Sequence, residues 1–166
     1  MKDGELDSID ERILFELQRE GRATITELAE TVPVSGNTVR NRILAMEEAD
    51  IIRGYTIEVD YVGAGFPFHY QFTCTVPIAD RRRLVEEAFE VDGVLDVREL
   101  MTGQQNVVIE VVGATQDDIT EIAQTLDDLG LDVVDETLIK SAETRPLTLW
   151  ANDDDPDESE REDPSS

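Results

Sequence analysis

Ser35, Asn37, Thr38, Arg40, Asn41 and Arg42 place hydroxyls, amides and guanidinium groups within one short run of the chain. Those types suit the edges of base pairs. Arginine grips guanine through two donors, asparagine grips adenine, and serine or threonine reaches phosphate or base. Catalysis finds less support. The chain has one histidine, His69, and one cysteine, Cys74, so neither a Cys/His metal cluster nor an intrachain disulfide is available. No paired carboxylates, and no nucleophile beside a base, stand out. No enzyme activity, metal or cofactor is expected.

A helix must carry those residues, and the pattern predicts three in succession. The first runs from about Ser8 to Glu20, capped by Asp7, with Ile9, Ile13, Leu14 and Leu17 on one face and Gly21 as its stop. The second opens on Thr24-Ile25-Thr26-Glu27, a capping box, and ends at Pro33. The third starts at Ser35, a favoured N-cap, and runs to about Ala49 with Val39, Ile43 and Met46 inward. Val32 to Ser35 is then the tight turn of a helix-turn-helix, whose second helix offers its N-terminal turns to the major groove. A plain three-helix bundle with ordinary surface arginines is the competing reading. After it, Ile51–Asp60 reads as a hairpin wing around Gly54, and residues 61–68 as a Gly- and Pro-marked linker.

The second half alternates strand and helix. Tyr70, Phe72, Cys74, Val76 and Ile78 predict a strand, and residues 80–90 a helix. Residues 94–101 and 107–112 predict two strands, 116–129 an amphipathic helix and 133–140 a last strand. The order is βαββαβ, a ferredoxin-like domain over 69–150, with Trp150 expected on its sheet edge. The fold class is α+β: a winged helix-turn-helix over 1–60 followed by this sandwich. Residues 151–166 are acidic and read as a disordered tail.

Charge is the unusual property. There are 39 acidic against 14 basic residues, a formal net charge of −25, and only Lys2 and Lys140 are lysines. Such a balance argues against nucleic acid unless molar salt screens it; at 1 M the Debye length is about 3 Å. The composition therefore predicts adaptation to the cytoplasm of a halophilic archaeon. The window from Arg19 to Met46 is spared: Arg19, Arg22, Arg40 and Arg42 face only Glu20, Glu27 and Glu30. Arg81-Arg82-Arg83 reads as a solvated face, with phosphate binding the alternative. No apolar run approaches the length of a membrane span, and the first residues lack the apolar core of a signal peptide. A soluble cytoplasmic protein is expected.

The first 60 residues resemble the Lrp/AsnC, or feast/famine, family of regulators. Leu6-Asp7 with Asp10, Gly21-Arg22 with Glu27-Leu28-Ala29, Ser35 with Thr38-Val39 and Arg42-Ile43, and Ile52 with Gly54-Tyr55 carry the likeness. Val91 with Gly93-Val94, Thr102-Gly103 and Thr137 extend it into the family's RAM, or effector, domain. The resemblance implies a DNA-binding transcription regulator that forms a homodimer or larger oligomer through its C-terminal domain. It also implies an amino acid or related small effector held near Thr102, Gly103, Gln104, Gln105 and Asn106. On residue chemistry alone that run is a hairpin turn. The chain departs from the pattern at Asn106, where the family carries Asp, and at Leu44-Ala45, where basic residues are usual. Double-stranded DNA is the expected partner. An architectural DNA-coating protein without effector is one rival reading, and a metabolite-binding or catalytic ferredoxin-like protein another.

Overall fold

Side-chain caps start the N-terminal helices at the predicted places. The computed structural model describes residues 6–151. Helix α1 (Ser8–Arg19) begins at Asp7, whose carboxylate accepts the N–H groups of Ile9 and Asp10, and Asp10 answers by accepting Asp7 N–H. Helix α2 (Ile25–Thr31) is capped by the Thr24–Glu27 box. Helix α3 (Gly36–Glu48) is capped by Ser35, whose hydroxyl accepts Thr38 N–H. These caps satisfy donors that a helix start otherwise leaves unpaired. Ile13, Leu14, Leu28, Val32, Val39, Ile43 and Met46 form the core between the three helices. Each such side chain contributes about 1.5–3 kcal/mol on burial. Helix α3 ends without a glycine, as expected, yet it keeps a left-handed residue: Asp50 has φ 55°. Its N–H donates to Glu47 O, and Ile51 N–H to Met46 O. Aspartate tolerates this conformation better than most side chains.

The hairpin wing expected over Ile51–Asp60 is not formed; that segment contains no strand. Ile51 and Ile52 pack on the N-terminal core instead, and both donate to Met46 O. The rest is too short to sustain a two-stranded ribbon alone. The linker expected over 61–68 holds a turn, with Ala64 N–H on Asp60 O and Phe66 N–H on Tyr61 O. Asp60 closes over it by accepting Gly63 N–H at 3.0 Å. A Cβ at Gly63 would lie 2.5 Å from Asp60 Oδ2, so a larger residue there would push this carboxylate aside.

Strand β1 (Phe68–Thr75) begins earlier than the alternation suggested and stops before Pro77, which leaves Ile78 exposed. Helix α4 (Arg81–Phe89), strands β2 (Val94–Glu99) and β3 (Val107–Gly113), helix α5 (Gln116–Leu129) and strand β4 (Asp132–Leu138) complete the βαββαβ order. The sheet runs β2-β3-β1-β4, antiparallel throughout. Phe72, Cys74, Val107, Ile109 and Val111 face the two helices, where Leu84, Ala88, Ile119, Ile122 and Leu126 meet them. The opposite face is polar: His69 Nε2 lies 2.6 Å from Glu110, which also takes Arg98 at 3.0 Å. Burial, and then the nearby Asp132 carboxylate, push the Cys74 thiol up to about 12. Native protein at pH 8 is therefore expected to resist iodoacetamide, while denatured protein is alkylated; rapid labelling of the native chain would contradict this burial.

The chain divides differently from the expected 1–60 and 69–150. Residues up to Glu58, together with those from Glu143 on, form one unit, and Val59–Ala142 form the other. The reason is Trp150. It does not reach the sheet edge: it packs on the N-terminal core from a short 3₁₀ turn, Thr148–Trp150, and Leu147 N–H donates to Gln18 Oε1. The acidic tail lies outside the described residues beyond Ala151. No helix among the described residues is long and apolar enough to cross a membrane.

Candidate nucleic-acid interface

Helix α3 separates two faces. Val39, Ile43 and Met46 are buried, whereas Asn37, Arg40, Asn41 and Leu44 are exposed. The spacing 37, 40, 41, 44 is one stripe of a helix, because residues three and four apart are neighbours on its surface. Among the described residues no carboxylate lies within ion-pair reach of Arg40. In a chain of 39 acids that is an arginine kept available. The first turn of α3 carries no acidic residue, so the positive end of the helix is not neutralised.

The other candidates on this helix are engaged. Ser35 Oγ caps α3 and lies 2.9 Å from Thr38 Oγ1, so this hydroxyl pair serves the helix start. Arg42 is turned away from the stripe. Its guanidinium donates to both Asp7 oxygens at 2.8 Å and to Asp10 Oδ1 at 2.7 Å. Asp10 is fully buried. A buried carboxylate requires such a partner, which makes Arg42 a clamp between α3 and the start of α1. Hydrogen bonds donated to Asp10 and then to Asp7 hold the Arg42 guanidinium above its ordinary value. Asp7 is held below its ordinary 3.8, first by Asp10 N–H and then, against partial desolvation, by Arg42. A carboxylate whose folded value is lowered stabilises the fold above its unfolded value and loses that contribution as pH falls through the folded one. Arg42→Ala should cost about 3 kcal/mol by stranding Asp10. Urea unfolding at pH 7 checks this, and an unchanged midpoint would rule the clamp out.

The loop expected to hold an effector is built differently from its composition. Asn106 is completely buried, and its amide closes a two-point clamp on one backbone residue: Oδ1 accepts Val76 N–H at 2.9 Å and Nδ2 donates to Val76 O at 2.9 Å. It therefore holds the β1 exit and offers nothing to a ligand. Thr102 Oγ1 donates to Gln104 O at 2.7 Å, and Gln105 N–H reaches Thr75 Oγ1. Thr102, Gly103, Gln104 and Gln105 are exposed. Arg81, first of the basic run, spans to Leu100 O and Thr102 O and fastens this loop from α4. Arg83 pairs with Glu87, and Arg82 is exposed. The type of Arg81 gave no sign of this, because backbone carbonyls as partners leave no trace in sequence.

The AsnC-type helix-turn-helix domain matches residues 6–47. The leucine-responsive regulatory protein of Rhizobium meliloti is 36% identical over 129 residues, covering 68% of this chain and 83% of that protein. The structure of LrpC from Bacillus subtilis superimposes with a TM-score of 0.72 at 22% identity, over 84% of this chain and 98% of that one. A Neisseria meningitidis transcriptional regulator, solved as its L-Met complex, gives 0.71 at 23% identity, over 87% and 97%. An AsnC-type helix-turn-helix joined to a four-stranded α+β domain defines a DNA-binding transcription regulator. Within that class, the chain belongs to the Lrp/AsnC family.

Proposed function

We propose that the protein is a sequence-specific regulator that occupies promoters as a homodimer or larger assembly and reads bases with the exposed stripe of α3. Asn37, Arg40 and Asn41 make the base contacts, Ser35 and Thr38 present the helix start to a phosphate, and Arg42 holds the helix in place. The observation that carries the reading is Arg40, exposed and without a carboxylate partner among the described residues, beside two exposed amides on the second helix of the motif. Two such helices in a dimer would address half-sites about one helical turn apart. The protein acts in the cytoplasm and catalyses no reaction.

An amino acid or related effector would act by favouring one arrangement of the DNA-binding units over another, which requires different affinity for the two. The L-Met complex of the Neisseria relative supports that class of effector. Thr102, Gly103, Gln104 and Gln105 remain the candidate contacts, with Asn106 supporting them from below. The complete engagement of Asn106 favours a second reading, an architectural protein that coats DNA without effector.

Selection from a random duplex library in molar KCl tests the proposal. A retained palindromic site, bound with a shallow salt dependence, is expected, because a protein this acidic neutralises few phosphates. Retention without sequence preference, unchanged by added amino acids, would move the conclusion to the architectural reading.

A further inference from the structure

The N-terminal unit contains a half-open cavity of ≈470 Å³ lined by Leu14, Leu17, Ile51, Ile52, Tyr55 and Trp150, with Gln18, Gly21, Arg53, Gly54 and Thr56 at its margin. Its volume is in the range of small-molecule sites. Its composition stands apart from the rest of the chain. Among the described residues no carboxylate lines it, although the sequence carries 39. Among the described residues its only charge is Arg53, and no carboxylate lies within ion-pair reach of that guanidinium. The walls pair aliphatic side chains with two aromatic rings, one of them the chain's single tryptophan.

We propose that this cavity binds a small planar aromatic monocarboxylate. The ring would lie between Trp150, Tyr55 and the leucine and isoleucine floor, where offset and edge-on packing of aromatic faces is favourable. The carboxylate would take the Arg53 fork, a charge-assisted pairing about twice as strong as a neutral hydrogen bond. Gln18 Oε1 already accepts Leu147 N–H at 3.1 Å, which leaves its amide N–H groups as further donors. An α-amino acid fits less well, because none of the described lining residues is acidic and the Glu47 carboxylate is already engaged by the Tyr55 hydroxyl at 2.9 Å. The site is thus distinct in place and in ligand class from the effector loop of the C-terminal unit. It is joined to the DNA-reading helix through two of its lining residues, since Ile51 and Ile52 both donate to Met46 O at the end of α3.

Trp150 reports on the cavity without interference from any other tryptophan. Full-length protein in molar KCl is titrated with phenylacetate, with phenylalanine and phenethylamine in parallel, while Trp150 emission is followed. Phenylacetate is expected to change the emission saturably, and the two amines are not. Arg53→Gln should weaken the apparent Kd about tenfold, the loss of one charge-assisted contact. Gly54→Leu should abolish the response with the unfolding midpoint retained, because Gly54 lines the cavity and a Cβ there meets nothing within 4 Å. No saturable change in the wild type, an equal response to phenethylamine, or an unchanged Kd in Arg53→Gln would each overturn the proposal. Emission that varies with protein concentration and ignores phenylacetate would overturn it too, by showing the cavity covered by a second copy.

Discussion

Arg40→Ala is expected to weaken specific duplex binding by roughly ten- to a hundredfold, the worth of one good base contact of about 1–3 kcal/mol. Its fold should be untouched, because the side chain is exposed and no cap or ion pair among the described residues depends on it. Asn37→Ala should behave alike, and the double variant should retain no preferred site. Binding is read by fluorescence anisotropy on the selected duplex, and assembly by sedimentation at the same salt. The contrast with Arg42 is informative. Arg40→Ala loses DNA with its stability intact, whereas Arg42→Ala loses stability first. Full affinity in the Arg40 variant, or collapse of its oligomer, would refute the assignment of the stripe.

Asn106 should be the most sensitive polar position of the C-terminal unit. Asn106→Ala removes both partners of a buried backbone N–H and C=O at Val76. Leaving such groups unpaired costs about 1–3 kcal/mol each, so a loss of about 2–6 kcal/mol is expected from urea unfolding. Asn106→Asp discriminates further. An ionised aspartate could still accept Val76 N–H, but it would meet Val76 O without a donor, in a site with no solvent. The acid would therefore titrate above its unfolded value in the folded state. Its penalty would be present at high pH and relieved as pH falls through that folded value, where the protonated acid regains a donor. Stability of the aspartate variant should thus rise from pH 8 toward pH 5 relative to wild type. A variant as stable as wild type at pH 8 would mean that the clamp is dispensable.

Both predictions concern residues whose types were legible in the sequence while their surroundings were not. The three helices could be read because caps are local: Asp7, Thr24 and Ser35 act on amides two or three positions away. The sheet could be read because buried alternation survives in Phe72 and Cys74 of β1 and in Val107, Ile109 and Val111 of β3. What failed was non-local. Arginine at 42 looks like a DNA contact until Asp10 is found buried beneath it. Asparagine at 106 looks like a turn residue until its amide is seen to clamp Val76, 30 positions earlier. The wing failed because Ile51 and Ile52 bury their side chains in a core that periodicity alone assigned to the helices. Of the six α3 candidates, Asn37, Arg40 and Asn41 stand on the exposed stripe, while Ser35, Thr38 and Arg42 are bound into the helix start and its clamp.

The return of the C-terminal segment to α1 sets a constraint on synthesis. Leu147 and Gln18 are 129 positions apart, so the DNA-binding unit lacks this bond and the packing of Trp150 on its core until residues 147–150 have been made. Domains usually fold in order as they emerge. Here the first unit to emerge completes its contacts only when residues 147–150 follow, and contacts of such separation slow folding. A chain cut short after β4 would therefore keep every residue of the DNA-reading helix and yet lack Trp150 from the core that supports it. A nonsense mutation between β4 and Leu147 should act as a lesion of the DNA-binding unit.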